Sequence, residues 1–206
     1  MAAPATRATL ILRIRNSSDQ AAWEEFVEIY TPLIYNFALN RGLQPSDARD
    51  ILQIVLQNIF RAIQNFDYNR EKGTFRSWLY TITRHEISRL LKQNKRQPFL
   101  AEPNEIAKSP LPAQDLTAGT DWDLDYRLRL FQWAAEKVEP EFSPNNWQAF
   151  HRTAVLEEDP REVATDLQMS RASVYMSRSR VLSRIRERIA SVADESWEIS
   201  SITDPG

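Results

Sequence analysis

The chain has 206 residues, of which 42% are apolar and 26% charged, and its net charge is −2. This describes a globular protein rather than a disordered one, long enough for one ordinary domain or two small ones. The absence of cysteine excludes disulfides and thiolate metal sites, and 4 glycines against 11 prolines favour proline-punctuated helices over tight β-turns. No apolar run approaches the roughly 20 residues needed to cross a bilayer. The apolar patch Leu10–Leu12, flanked by Arg7 and Arg13, is too short for a secretory signal. Neither membrane insertion nor export is expected, and the cytoplasm is the default address.

Ser17 or Ser18 is a candidate cap for a first helix with Trp23, Phe26, Val27 and Tyr30 on one stripe. Pro32 predicts a break or kink, after which Leu33, Ile34, Phe37 and Ala38 resume the pattern and Gly42 closes it. Ser46 is the expected cap of the next helix. There Ile51, Val55 or Ile54, Ile59 and Ile63 recur at helical spacing, opposite a polar face of Asp50, Gln53, Gln57 and Arg61. A loop holding Asp67, Asn69 and Gly73 leads to a helix from Phe75 or Arg76 to Asn94. These helices, over 17–96, predict a compact all-α domain of about 80 residues.

Residues 97–121 hold four prolines and no sustained period, and read as a flexible linker. A second helical domain is expected over 122–192. Leu124, Leu128, Phe131 and Ala135 form a helical stripe, and Asn145 to Leu156 reads as a helix with Trp147, Phe150 and Val155 inward. Asp159 caps a helix with Pro160 at its first position, and Ser170 caps a longer one through Val174, Val181, Leu182, Ile185 and Ile189. Two helices joined by so short a turn have the form of a helix-turn-helix, with Gln168 where a glycine is usual. The start of the second helix would then enter the major groove. Ser170, Arg171, Ser173 and Tyr175 would reach base edges or phosphates, and Arg178 and Arg180 the backbone. The tail after Ala193 is expected to be disordered.

The small net charge conceals a partition. Acidic residues dominate between Asp19 and Glu71. Arg84, Arg89, Lys92, Lys95 and Arg96 are opposed only by Glu86, and the six arginines from Arg171 to Arg188 only by Glu187. Two basic clusters in acidic surroundings suggest two contacts with a polyanion, where scattered solvated charge would not cluster so. Enzyme chemistry finds little support: His85 and His151 are the only histidines and no glycine-rich phosphate loop is present. Asp47 and Asp50 lack the partners of a metal site, and no cofactor is implied.

The order Trp23…Tyr30-Thr-Pro, then DARDILQ (47–53), then GTFRSWLYTITRHEI (73–87) resembles region 2 of the bacterial sigma factors, within their extracytoplasmic-function group. SPNNWQAF (143–150), followed by REVATDLQMSRASVYMSRSRVLSRIRE (161–187), resembles region 4 of the same group. The resemblance covers roughly 23–96 and 122–189. It implies an all-α protein of two small helical domains that directs promoter recognition and DNA melting, with core RNA polymerase (β′ clamp and β flap) and promoter DNA as partners. An anti-sigma factor would be a further partner class.

Residue by residue, it implies a polymerase contact through Asp50 and Gln53, with Arg49 and Gln57 on the same face. The minus-10 element would meet Phe75, Trp78, Arg84, His85, Arg89, Lys92 and Arg96, and the minus-35 element the helix from Ser170. Trp78 keeps two readings, as a core residue beside Leu79 and Ile82 or as a base contact. His85 stands where the family usually has Asn, and Arg89 where it has an acid, so the preferred minus-10 bases do not carry over. His85 either stacks on a base or is a surface histidine. The competing reading is a transcriptional regulator that binds duplex DNA through the helix-turn-helix without acting as a polymerase subunit.

Overall fold

A computed structural model describes residues 10–65, 75–94 and 116–193, and every described element is helical. The chain divides into two compact units after Arg129.

In the first unit, α1 (Leu10–Ile14) precedes α2 (Gln20–Asn40). Asp19 caps α2, its carboxylate accepting the Ala22 N–H at 2.9 Å. The expected serines do not, because Ser18 donates both its N–H and its hydroxyl to Asn16 Oδ1, at 3.1 and 2.7 Å. Arg13 ties α1 to this cap through Asp19 at 3.1 Å and Glu25 at 2.9 Å. Pro32 does not divide α2. A helical proline leaves the carbonyl four residues earlier without its N–H partner, and Arg129 donates to that Glu28 oxygen at 3.0 and 3.4 Å.

Helix α3 (Pro45–Ala62) begins one residue before the expected Ser46 cap. Pro45 takes the first helical position after Gln44, so Ser46 falls inside the exposed first turn. Ala48, Ile51, Val55 and Ile59 face the core. Helix α4 (Phe75–Asn94) buries Phe75, Leu79, Ile82 and Ile87. Rings lock the layers together: Phe26 stacks on Tyr30 at 4.5 Å and meets Phe75 edge-on at 5.9 Å. Val27, expected on the inward stripe, is 41% exposed.

Helix α5 (Leu116–Val138) already covers 116–121 of the expected linker, and the rest of that stretch, like the loop 66–74 and the tail, lies outside the described residues. The expected stripe is on the wrong face, since Leu124 is 55% and Leu128 47% exposed. Trp122, Tyr126, Leu130 and Trp133 also recur at helical spacing, three of them with large rings, and they are the buried set. Trp122 meets Phe37 at 5.0 Å and Tyr126 stacks on Tyr30 at 5.8 Å. The division therefore falls within α5 rather than at residue 122.

In the second unit, a 3-10 turn (Glu139–Glu141) leads to α6 (Pro144–Phe150), which passes into a π-helical turn (His151–Val155). The wider π turn shifts the register, so Thr153 is buried while Val155, expected inward, is 45% exposed. Then α7 (Pro160–Asp166) and α8 (Arg171–Ala190) form the hairpin. Ala149, Val163, Ala164 and Val174 make its core, with Leu167 and Met169 packed against them.

Candidate nucleic-acid interface

The amphipathic period of α3 sets its outer face. With Ile51, Val55 and Ile59 inward, Arg49, Asp50, Gln53 and Gln57 all stand exposed on one side. That face is not wholly polar: Ile54 is 38% and Phe60 52% exposed. Phe60, which the sequence reading missed, leans on Trp23 with ring centroids 5.4 Å apart.

Helix α4 divides along its length. Phe75, expected at the DNA, is fully buried and packs edge-on against Phe26 and Tyr30, so it belongs to the core. Trp78 is half-buried and tilts against Phe75 at 5.3 Å, so it packs on the core without being enclosed by it. Further along, Arg84 and Lys92 are exposed. Arg89 Nη1 lies 3.5 Å and His85 Nδ1 3.9 Å from the carboxylate of Glu86, which is 3% exposed. The sequence reading counted Glu86 only as a stray opposing charge; here it is a buried carboxylate beside Arg89 and His85. Arg96 lies outside the described residues.

The hairpin of the second unit is built by local caps. Asp159 accepts the Arg161 N–H at 2.7 Å and Pro160 opens α7. Gln168 turns the chain with φ +53°, the left-handed region that the usual glycine would occupy without strain. Ser170 then accepts the Ser173 N–H at 3.1 Å, and the two hydroxyls are 2.8 Å apart, so the Ser170 side chain is engaged in the cap. Ser177, buried in the facing side of α8, donates to Asn146 Oδ1 on α6 at 3.1 Å. Arg152 joins the π turn to α7 by pairing with Asp166 at 2.8 Å and with Glu158. Both carboxylates raise its pKa above the ordinary guanidinium value, Glu158 the more.

These constraints leave Arg171, Ser173, Tyr175 and Arg180 exposed and Arg178 half-buried. Of the later arginines, Arg184 and Arg188 are less available than the exposed Arg186. Arg184 pairs with Glu141 and Glu187, holding the Glu141 carboxyl below the usual range. Arg188 lies over the Trp133 ring at 4.7 Å. Arg161 and Arg171 together line a shallow concavity beside the turn. Met176 is 52% exposed; sequence reasoning passed over it as an apolar residue among serines and arginines. Among the described residues no cluster of three or more His, Cys, Asp or Glu could hold a metal, and no helix is long and apolar enough to cross a membrane.

The family described as Sigma-70 region 2 matches residues 26–97, the stretch that carries most of α2 and all of α3 and α4. The chain is 29% identical over 136 residues to the ECF RNA polymerase sigma factor SigE of Mycolicibacterium smegmatis, covering 61% of this chain and 48% of that protein. It is 28% identical over 101 residues to the ECF RNA polymerase sigma factor RpoE of Cereibacter sphaeroides, covering 49% and 52% respectively. The chain thus spans about half the length of these curated relatives.

Proposed function

We propose that this chain, which belongs to the sigma-70 family in its extracytoplasmic-function group, serves RNA polymerase as an initiation subunit that finds promoters and helps to open them. The observation that carries the reading is the coincidence of the region 2 match with two unlike exposed surfaces. One is the mixed polar face of α3, the other the cationic later half of α4. A mixed face of acid, amide and arginine around Ile54 suits a protein partner. A cationic helix behind a half-buried tryptophan suits an opened strand, whose phosphates need neutralising and whose bases need stacking surfaces.

In this assignment Arg49, Asp50, Gln53 and Gln57 meet the β′ clamp. Trp78, Arg84, His85, Arg89, Lys92 and Arg96 meet the minus-10 element, while Phe75 holds α4 in place from the core. The hairpin α7–α8 reads the minus-35 element as duplex through Arg171, Ser173 and Tyr175, with Arg178 and Arg180 on the backbone, and the β flap engages the same unit. The chain supplies no catalytic group, and the polymerase performs the chemistry. A regulator that needs only the hairpin leaves the exposed faces of α3 and α4 without a task.

Reconstituted transcription on a genomic fragment library tests the proposal. The expected outcome is a set of discrete start sites that require both core polymerase and this chain. Sequence-specific duplex binding with no effect on start-site choice would instead establish the regulator.

A further inference from the structure

The outermost line of α8 is not its arginines. With Val174, Ser177, Val181 and Ile185 inward, a period of 3.6 residues per turn places Ala172, Met176, Ser179 and Ser183 furthest from the core. All four are exposed, and Met176 stands centrally among them at 52%. Tyr175, 55% exposed, flanks this line on one side and Arg180 on the other. The centre of the reading surface is therefore an uncharged strip of a methyl, a thioether and two hydroxyls, and the cations lie at its margins.

The surroundings say what such a strip meets. Arg171, Arg178, Arg180 and Arg186 form no ion pair among the described residues, and Glu187 is the only acid on α8. An uncharged strip whose leading half, Ala172 and Met176, is apolar and is flanked by unpaired guanidiniums complements a groove with an apolar feature between two phosphate rails. In the DNA major groove the one apolar group on a base edge is the 5-methyl of thymine. Arg178 and Arg180 at the margins of the helix suit phosphate contacts, which position a protein without reading bases.

We infer that α8 selects its duplex by seating thymine 5-methyl groups against Met176 and Ala172, so that the upstream promoter element is read at its centre through methyl contact. This inference rests on the proposal that α8 reads duplex DNA, and it adds the chemical group that is read.

The test uses holoenzyme reconstituted from the full chain and core polymerase. A duplex pool randomised across the upstream element is selected with the wild type and with Met176→Ala. In the best wild-type duplex, each thymine is then replaced in turn by deoxyuridine, which removes the methyl and leaves every hydrogen-bonding group. The expected result is a thymine preference in the wild-type pool that the variant loses. At that position deoxyuridine should weaken wild-type binding about fourfold, as for one buried methyl, and leave the variant unchanged. Met176 lies off the core, so the variant keeps the fold, which an unchanged melting curve verifies; Met176→Leu should retain the preference. Equal affinity of wild type for thymine and deoxyuridine at every position overturns the inference, as does an equal loss in wild type and variant. Arg171→Ala and Arg180→Ala separate the two levels. If they lower duplex affinity while deoxyuridine does nothing, only methyl reading fails. If they leave affinity unchanged, or the pool enriches nothing upstream, the assignment of α8 to duplex DNA fails and methyl reading with it.

Discussion

Arg129 donates from Nη2 to the carbonyl oxygen of Glu28 at 3.0 Å, the oxygen whose helical partner would have been the N–H that Pro32 lacks. A guanidinium far along the sequence thus supplies what the proline removes, and α2 runs on through the position where the sequence predicts a break or kink. If this is why the helix survives, the two residues are coupled. Arg129→Ala should lower stability by about 1 kcal/mol in the native background, a moderate loss because the contact is exposed. In a Pro32→Ala background, where residue 32 again donates to Glu28, the same substitution should cost distinctly less. Urea unfolding of the four proteins completes the cycle, and equal costs in both backgrounds would show that Arg129 acts independently of the proline.

A pH dependence follows from the cap of α2. Asp19 titrates below its ordinary value of 3.8, chiefly because Arg13 hydrogen-bonds its carboxylate and secondly because the Ala22 N–H does. A carboxyl with a depressed folded-state pKa stabilises the fold fully above its unfolded pKa, and that contribution fades as pH falls through the folded value. Asp19→Asn keeps a capping side chain and removes the charge. The variant should melt lower than wild type at neutral pH, and the gap should close as pH is brought below 3.8. A constant gap across that range would assign the cap to geometry alone.

At Gln168 the backbone is in the left-handed region, φ +53°, which glycine enters without the clash a Cβ brings. Gln168→Gly should therefore raise stability, by up to about 1 kcal/mol, with duplex affinity unchanged because the hairpin geometry is kept. A lower melting temperature would mean that the gain in unfolded-chain entropy outweighs the relieved strain.

What the sequence made legible was whatever is decided locally. Asp159 and Ser170 accept from N–H groups two and three residues away, and Pro160 opens α7 through its own fixed φ, so their roles are written in adjacent letters. The outer face of α3 was equally plain, because its apolar residues leave a single arrangement. Illegible features depended on distant partners. In α5 two stripes keep helical spacing, and it takes Phe37 and Tyr30 on α2, with Tyr80 and Arg76 on α4, to turn Trp122 and Tyr126 inward. Phe75 heads a basic helix and so resembles a stacking residue, until Phe26 and Tyr30 enclose it. Glu86 looked like a minor charge because nothing in a linear pattern marks a buried carboxylate.

The α3 face gives a direct test of partner binding. Asp50 and Gln53 are exposed and lie opposite Ile51 and Val55, so Asp50→Lys with Gln53→Ala should leave helicity and melting temperature unchanged. Affinity for core polymerase should fall at least tenfold, given that contacts near the centre of an interface carry most of its energy. Ile54→Ala, which trims the apolar residue beside them, should weaken the same complex by a smaller factor. Wild-type affinity of the double variant in a core-binding titration would move the polymerase contact to another face.

The cationic end of α4 separates strand capture from mere surface charge. Arg84 and Lys92 are exposed there, and Arg96 follows in sequence. A subunit whose DNA contact is confined to the α7–α8 hairpin has no use for a second basic helix beside Trp78. A subunit that holds an opened strand does, because separated phosphates and unstacked bases each need a partner. Replacing Arg84, Lys92 and Arg96 by alanine should spare core binding and upstream duplex recognition while reducing permanganate reactivity of unpaired thymines around the start site. A template melted beforehand across that region should recover part of the lost transcription, because opening then no longer depends on these charges. Loss without recovery would place them in core binding or in later steps. Thymine reactivity at the wild-type level would make them solvated surface and remove the strongest reason to prefer a melting subunit over a duplex-binding regulator.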